Sequence, residues 1–294
     1  ILKGPAAAAE FGTDGSNGVV LITTKKGRLA TDGKGFSVNY KYETGYHEQS
    51  SEYTKDQIYS YKTANDVFRK GDFTKHNVSI RGGSQAARYS ISVGQSDEDG
   101  ILVNNAMDRK NIRLRVDATA SEKLNFSGGL TWAETISERP ENDNNIYGWL
   151  GNTVLMPNSW GWLDSLSIAG TEEENNVKQI TGFVTAQYMP IENMRADLTV
   201  GVDNTLVNQI SYYPPWGGYL YDHGSRQLYD YQNLQFTYDG KLGYKYDIID
   251  GLTSNTKIGF NFLERSLRTN WLQMDSLASD KIKDIEIASE NQLI

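Results

Sequence analysis

No cysteine occurs in the 294 residues, which excludes disulfides and thiolate metal sites and is compatible with life in an oxidising compartment. Proline is sparse at six, against 28 glycines. No stretch reaches the ~18 consecutive apolar residues of a transmembrane helix; a membrane barrel is untouched by that test, since its strands carry a far weaker hydropathy signal. Positive charge is also short: 29 Lys and Arg face 37 Asp and Glu, a formal charge of −8. Without a basic patch to offset that balance, nucleic acid is not an expected partner. The three histidines, His47, His76 and His223, lie too far apart for metal-ligand spacing. Residue 1 is not Met and no signal peptide opens the chain, so it reads as an internal segment of a longer protein.

What is present is period-2 alternation. From Tyr231 to Tyr246, Leu234, Phe236, Tyr238, Gly240, Leu242, Tyr244 and Tyr246 share one side, and Asn233, Gln235, Thr237, Asp239, Lys241, Gly243 and Lys245 the other. That is a strand with one apolar and one polar face, well beyond the ~5–6 residues usual in soluble sheets and long enough for the ~9–11 that cross a bilayer at a tilt. The same alternation starts at Phe36, Val38, Tyr40 and Tyr42. It recurs around Val78 and Ile80, Tyr89 to Val93, Ile112 to Ala118, Leu124 to Trp132, Ile180 to Tyr188, Ala196 to Val202 and Thr256 to Phe262. About nine strands are predicted.

A soluble sandwich would alternate as well, so the connections have to decide. Short links at Ser84 to Ala87, Ala120 to Lys123, Pro190 to Met194 and Asp247 to Gly251 take turns with long ones. The long ones are read at His47 to Lys75, Ser96 to Asp108, Thr135 to Lys178 and Tyr212 to Asp230, the first with a short helix opened by a Thr54/Gln57 capping box. Short turns at one end and long loops at the other are the geometry of an outer-membrane barrel. Tyr188, Tyr244 and Tyr246 at one set of strand ends, and Trp132 toward the other, suit aromatic girdles at two lipid–water boundaries.

The amino-terminal stretch is more specific. Leu2-Lys3-Gly4-Pro5-Ala6-Ala7-Ala8-Ala9, Phe11-Gly12, and then Asn17-Gly18-Val19-Val20-Leu21-Ile22-Thr23-Thr24-Lys25-Lys26-Gly27 resemble the end of the plug domain in the SusC/RagA family of TonB-dependent outer-membrane transporters. Lys3, Gly4, Pro5, Asn17 and Gly18 carry the motif. A second run is similar to the start of that family's barrel: Asp66 to Arg69, Asn77 to Gly83, Tyr89 to Val93, Asp99-Gly100-Ile101 and Arg109 to Val116. The glycines at 12, 15 and 18 precede a strand, so they do not form a phosphate loop.

The resemblance implies an all-β fold: part of an antiparallel transmembrane β-barrel, about nine strands of a 22-stranded wall, preceded by the C-terminal end of an α/β plug. Residues 1–28 would end the plug, 29–35 link, and 36–294 form the first part of the barrel. It further implies a non-enzymatic role in oligosaccharide or peptide import across the outer membrane, with lipid around the wall, TonB engaging a segment absent here, and a SusD-like lipoprotein as lid. The contrasting reading is a β-rich surface protein that binds carbohydrate or adheres without transport.

Chemistry-bearing motifs are few. Asp97-Glu98-Asp99-Gly100 and Glu141-Asn142-Asp143-Asn144-Asn145 offer hard oxygen ligands without EF-hand register, and no nucleophile elbow or catalytic triad spacing is present, so neither catalytic residues nor cofactors are expected. Loop aromatics are the candidate ligand or lid contacts: Trp149, Trp160 and Trp162 in one long loop, Trp216 and Tyr219 in another.

Overall fold

The computed structural model describes residues 35–141, 146–155, 160–215 and 223–277. Among these, nine strands form one sheet in which every neighbour in sequence is an antiparallel neighbour in space. They are β1 Phe36–His47, β2 Gly71–Gly83, β3 Ala87–Asp99, β4 Ala106–Ser121, β5 Leu124–Glu138, β6 Glu172–Tyr188, β7 Met194–Tyr213, β8 Ser225–Ile249 and β9 Leu252–Asp275. The expected plug end at 1–28, with Lys3, Gly4, Pro5, Asn17 and Gly18, and the linker up to residue 34 lie outside the described residues, as does the chain beyond 277.

The register shows why these sequences make strands. One rung runs Tyr40, Val78, Val93, Ile112, Trp132, Ile180, Asn204, Leu234, Ser266. The next rung, on the opposite face, runs Asn39, Ser79, Ser92, Arg113, Thr131, Thr181, Asp203, Gln235, Arg265. Alternation in each strand therefore becomes an apolar sheet face backed by a polar one. The apolar rung ends on Ser266, well past Phe262, while on β9 the apolar residues are Ile258, Phe260 and Phe262. The apolar band thus crosses the ladder obliquely, as it must if tilted strands keep that band level in a barrel wall.

Turn chemistry closes the short end. Ser84 Oγ accepts the amides of Ala86 and Ala87 at 3.2 and 3.3 Å between β2 and β3. Between β8 and β9, Gly251 takes φ +81°, a left-handed conformation in which a side chain would be strained. Two glycines inside strands have a different purpose. Gly240 lies directly opposite Phe260, whose ring would stand 2.1 Å from any Cβ added there, and Gly129 opposite Phe183 has the same arrangement at 2.6 Å. An aromatic ring folded over a cross-strand glycine covers the bare backbone and marks the register.

Each long connection is shorter than the sequence pattern implied, because the strands continue past the apolar band. β8 and β9 extend to Ser225–Ile249 and Leu252–Asp275, and the expected loop from Tyr212 to Asp230 contracts to residues 214–224. Once both faces meet water, the hydrogen-bonded ladder persists and the hydropathy alternation does not. The helix of the first long loop is also shifted. Thr54 and Gln57 do bond, with Gln57 Oε1 accepting the Thr54 amide at 3.0 Å, but they close a turn, and the helix is Tyr61–Asp66.

The buried core sits outside the sheet interior. Val67, Leu102, Tyr147, Trp149, Leu163 and Ile168 form it, all from the long connections, with Phe68, Ile101, Ile146, Trp160, Ala169 and Tyr213 packed around them. None of the helices described is long and apolar enough to cross a membrane.

Candidate functional site

Two regions offer functional surfaces: the polar face of the wall and the packed loops at its long-loop end. Arginines on the polar face are positioned by their own strands. Arg115 donates to both carboxylate oxygens of Asp117 (3.1 and 2.9 Å), and its guanidinium lies 5.7 Å from the centre of the Phe183 ring. On β7, Arg195 Nε donates to Asp197 at 3.1 and 2.8 Å, and Gln187 Nε2 donates to the same carboxylate at 3.0 Å. These groups, with Arg88, Asn125 and Thr185, line a hollow of about 370 Å³ near the short-turn end. A hydrated, charge-compensated surface is what a water-filled lumen requires.

At the other end the loops fold on each other. Asn152 is the hub, fully buried, with every arm of its side chain engaged. Its Nδ2 donates to the carbonyls of Ile146 (2.7 Å) and Gly148 (2.9 Å), and its Oδ1 accepts the amides of Trp162 (2.8 Å) and Leu163 (2.7 Å). One amide side chain thus ties the helix Trp149–Thr153 to the segment leading into the helix Ser165–Ala169. Asn104, in the left-handed region at φ 55°, donates to the carbonyls of Ala169 and Thr171 at 2.9 Å each. Ser60 Oγ donates to the Thr153 carbonyl at 2.6 Å, so three long connections are joined. The Ser165–Ala169 helix is capped by Asp164, whose Oδ1 accepts the Ser167 amide at 2.8 Å; that bond holds the carboxyl below the usual carboxylate range.

The aromatic candidates divide within this assembly. Trp149 is buried and meets the partly buried Trp160 edge-on at 6.1 Å between ring centres, so the two rings pack against each other within the loops. Trp162 remains 37% exposed. Trp216 and Tyr219 lie outside the described residues. Tyr147, which sequence reasoning passed over, packs at 4.9 Å on Tyr213, a loop aromatic of the Tyr212–Trp216 run, and the Tyr213 hydroxyl donates to Glu141 Oε1 at 3.1 Å. On the apolar face, Tyr244 and Tyr246 stack at 5.6 Å near the short-turn end, where Tyr188 also closes β6. Among the described residues no group of three or more His, Asp or Glu side chains could hold a metal ion.

No family model matches the chain. A stretch of 123 residues is 32% identical to the TonB-dependent receptor SusC of Bacteroides thetaiotaomicron, covering 35% of this chain and 12% of that protein. The TonB-dependent receptor P3 of Formosa agariphila is 23% identical over 160 residues, 48% of this chain and 16% of that one. The fold superposes on the RagAB peptide importer in its closed-closed state with a TM-score of 0.73 at 17% identity, over 93% of this chain and 39% of the solved one. The open-open state gives 0.71 at 16% identity, over 92% of this chain and 38% of that one.

Over these stretches the chain is similar to SusC-type TonB-dependent receptors, and its fold to that of the RagAB importer. It spans 12 to 16% of the length of the curated relatives it matches. The two curated relatives are named as receptors and the solved structure as a peptide importer. The nine strands are an open sheet that fits part of a barrel wall, with one apolar and one polar face, the short turns at one end and the packed loops at the other.

Proposed function

We propose that this chain supplies part of the wall and extracellular loops of an importer that takes up oligosaccharides or peptides across the outer membrane. The relatives it matches are named as TonB-dependent receptors, and a solved structure of the same fold as a peptide importer. The observation that carries the reading is the pairing of a lipid-facing apolar band with a charged, hydrated inner face, topped by loops that are themselves folded. An adhesin would need the loops; it would have no use for the hydrated inner wall.

In this reading residues 1–28 end a plug that blocks the lumen, 29–35 lead into the wall, TonB acts through a segment elsewhere in the protein, and a SusD-like lipoprotein closes over the loops. Trp162, still accessible, and Trp216 and Tyr219 on the following loop are the proposed ligand- or lid-contacting aromatics. The test is uptake of labelled oligosaccharides and peptides by cells carrying the full-length receptor, with and without functional TonB. Import that stops when TonB is removed supports the proposal. Ligand retained at the surface with no TonB-dependent entry would replace it with the adhesive reading.

A further inference from the structure

Where β7, β8 and β9 rise above the apolar band, the inner face changes character. Gln209 and Ser211 on β7, Gln227 and Tyr229 on β8, and Trp271 on β9 line a hollow of about 260 Å³. Gln209 pairs directly with Tyr229, and Tyr229 with Trp271, so amide, phenol and indole stand side by side on one rung. Ladder parity places all of them on the side that carries Asp203, Gln235 and Arg265, the lumenal one. Trp271, on the edge strand of the described sheet, is 62% exposed there and shares its face of β9 with Arg265, Leu263 and Leu267. No lining residue bears a formal charge, in contrast with the arginine and aspartate hollow at the periplasmic end. Two carboxylates beside the hollow are engaged within the wall: Glu173 by Arg139 and by Gln209 Nε2 at 3.4 Å, and Asp275 by Gln273 Nε2 at 2.9 Å.

We infer that this patch is a lumenal binding subsite for a neutral pyranose unit of a glycan. A sugar ring presents C–H faces that lie against an aromatic ring, while its hydroxyls need side chains that both donate and accept; amides, a serine and a tyrosine supply these. A charged peptide terminus or a phosphate would find no counter-charge in the hollow. The inference rests on the import reading for its cargo, and narrows that cargo to carbohydrate at this point of the path.

The test uses the full-length receptor in detergent, its barrel verified by heat-modifiable migration, on an array of neutral oligosaccharides, followed by calorimetry with the best-bound one. Trp271→Ala is expected to weaken binding by about tenfold or more, Trp271→Phe to stay within about threefold, and Gln209→Ala to fall between. Equal affinity of wild type and Trp271→Ala, or no bound oligosaccharide on the array, overturns the subsite. TonB-dependent peptide uptake without array binding sinks this inference and leaves import standing; array binding lost in Trp271→Ala without energised uptake does the reverse.

Discussion

The wall and the loop cap use hydrophobic residues in opposite ways. In the wall, Val184, Leu198, Phe260 and Phe262 are exposed, and the sheet has no interior to hide them in. In the cap, Trp149, Leu163 and Ile168 are buried in a core of ordinary protein kind, sealed by a fully engaged asparagine. The wall is stabilised by lipid and by its neighbouring strands, the cap by its own packing. A single chain therefore contains one region that depends on its solvent being hydrocarbon and one that would be recognisable in water.

The widest separation between the two should come from Trp149→Ala. Emptying that site is expected to cost the cap about 3–5 kcal/mol. Hydrogen exchange should then rise across Trp149–Thr153 and Ser165–Ala169 while the full-length barrel keeps its heat-modifiable migration. Loss of the barrel as well would show that cap and wall are one cooperative unit.

Next in size, Leu198→Arg puts a charge among the lipid-facing residues of β7 and should cost roughly 2–4 kcal/mol in urea unfolding from lipid vesicles. Thr199→Arg, one residue along and lumenal, should change stability little. Equal costs would erase the assignment of faces.

The smallest effect sharpens the cap side. Asp164→Ala should cost the Ser165–Ala169 helix about 1 kcal/mol. The folded carboxyl is held below its ordinary value by the Ser167 amide, so its contribution is present above about pH 4 and is lost as pH falls through the lowered folded value. Hydrogen exchange of wild type and Asp164→Ala should differ at neutral pH and converge in acid. A gap that persists in acid would mean the cap acts through something other than this carboxylate.

The wall was largely legible because lipid and lumen impose a period of two on every strand, and Tyr231 to Tyr246 shows it without interruption. Legibility failed where that constraint ends. Leu228, Tyr229, Leu267 and Trp271 obey no alternation, so the top of β8 reads as loop, the top of β9 beyond Phe262 stays unassigned, and the Trp271 hollow is not seen. The one available signal was an aromatic set among Gln and Thr just beyond a predicted strand. In the cap, sequence located the tryptophans but not their neighbours: burial of Trp149 depends on Leu102 and Val67 from other loops, contacts that no local spacing encodes.

The glycine–phenylalanine pairs have a consequence for biogenesis. A strand entering one residue out of step would turn Arg113, Arg115 and Asp117 toward hydrocarbon, so the bilayer itself rejects odd errors. An error of two keeps the faces correct and passes that inspection. It would, however, set Phe260 against Leu242 or Tyr238 in place of Gly240, where no gap awaits the ring. Membrane and sequence thus proofread alternate classes of mistake, and the glycines guard the ones that lipid cannot detect.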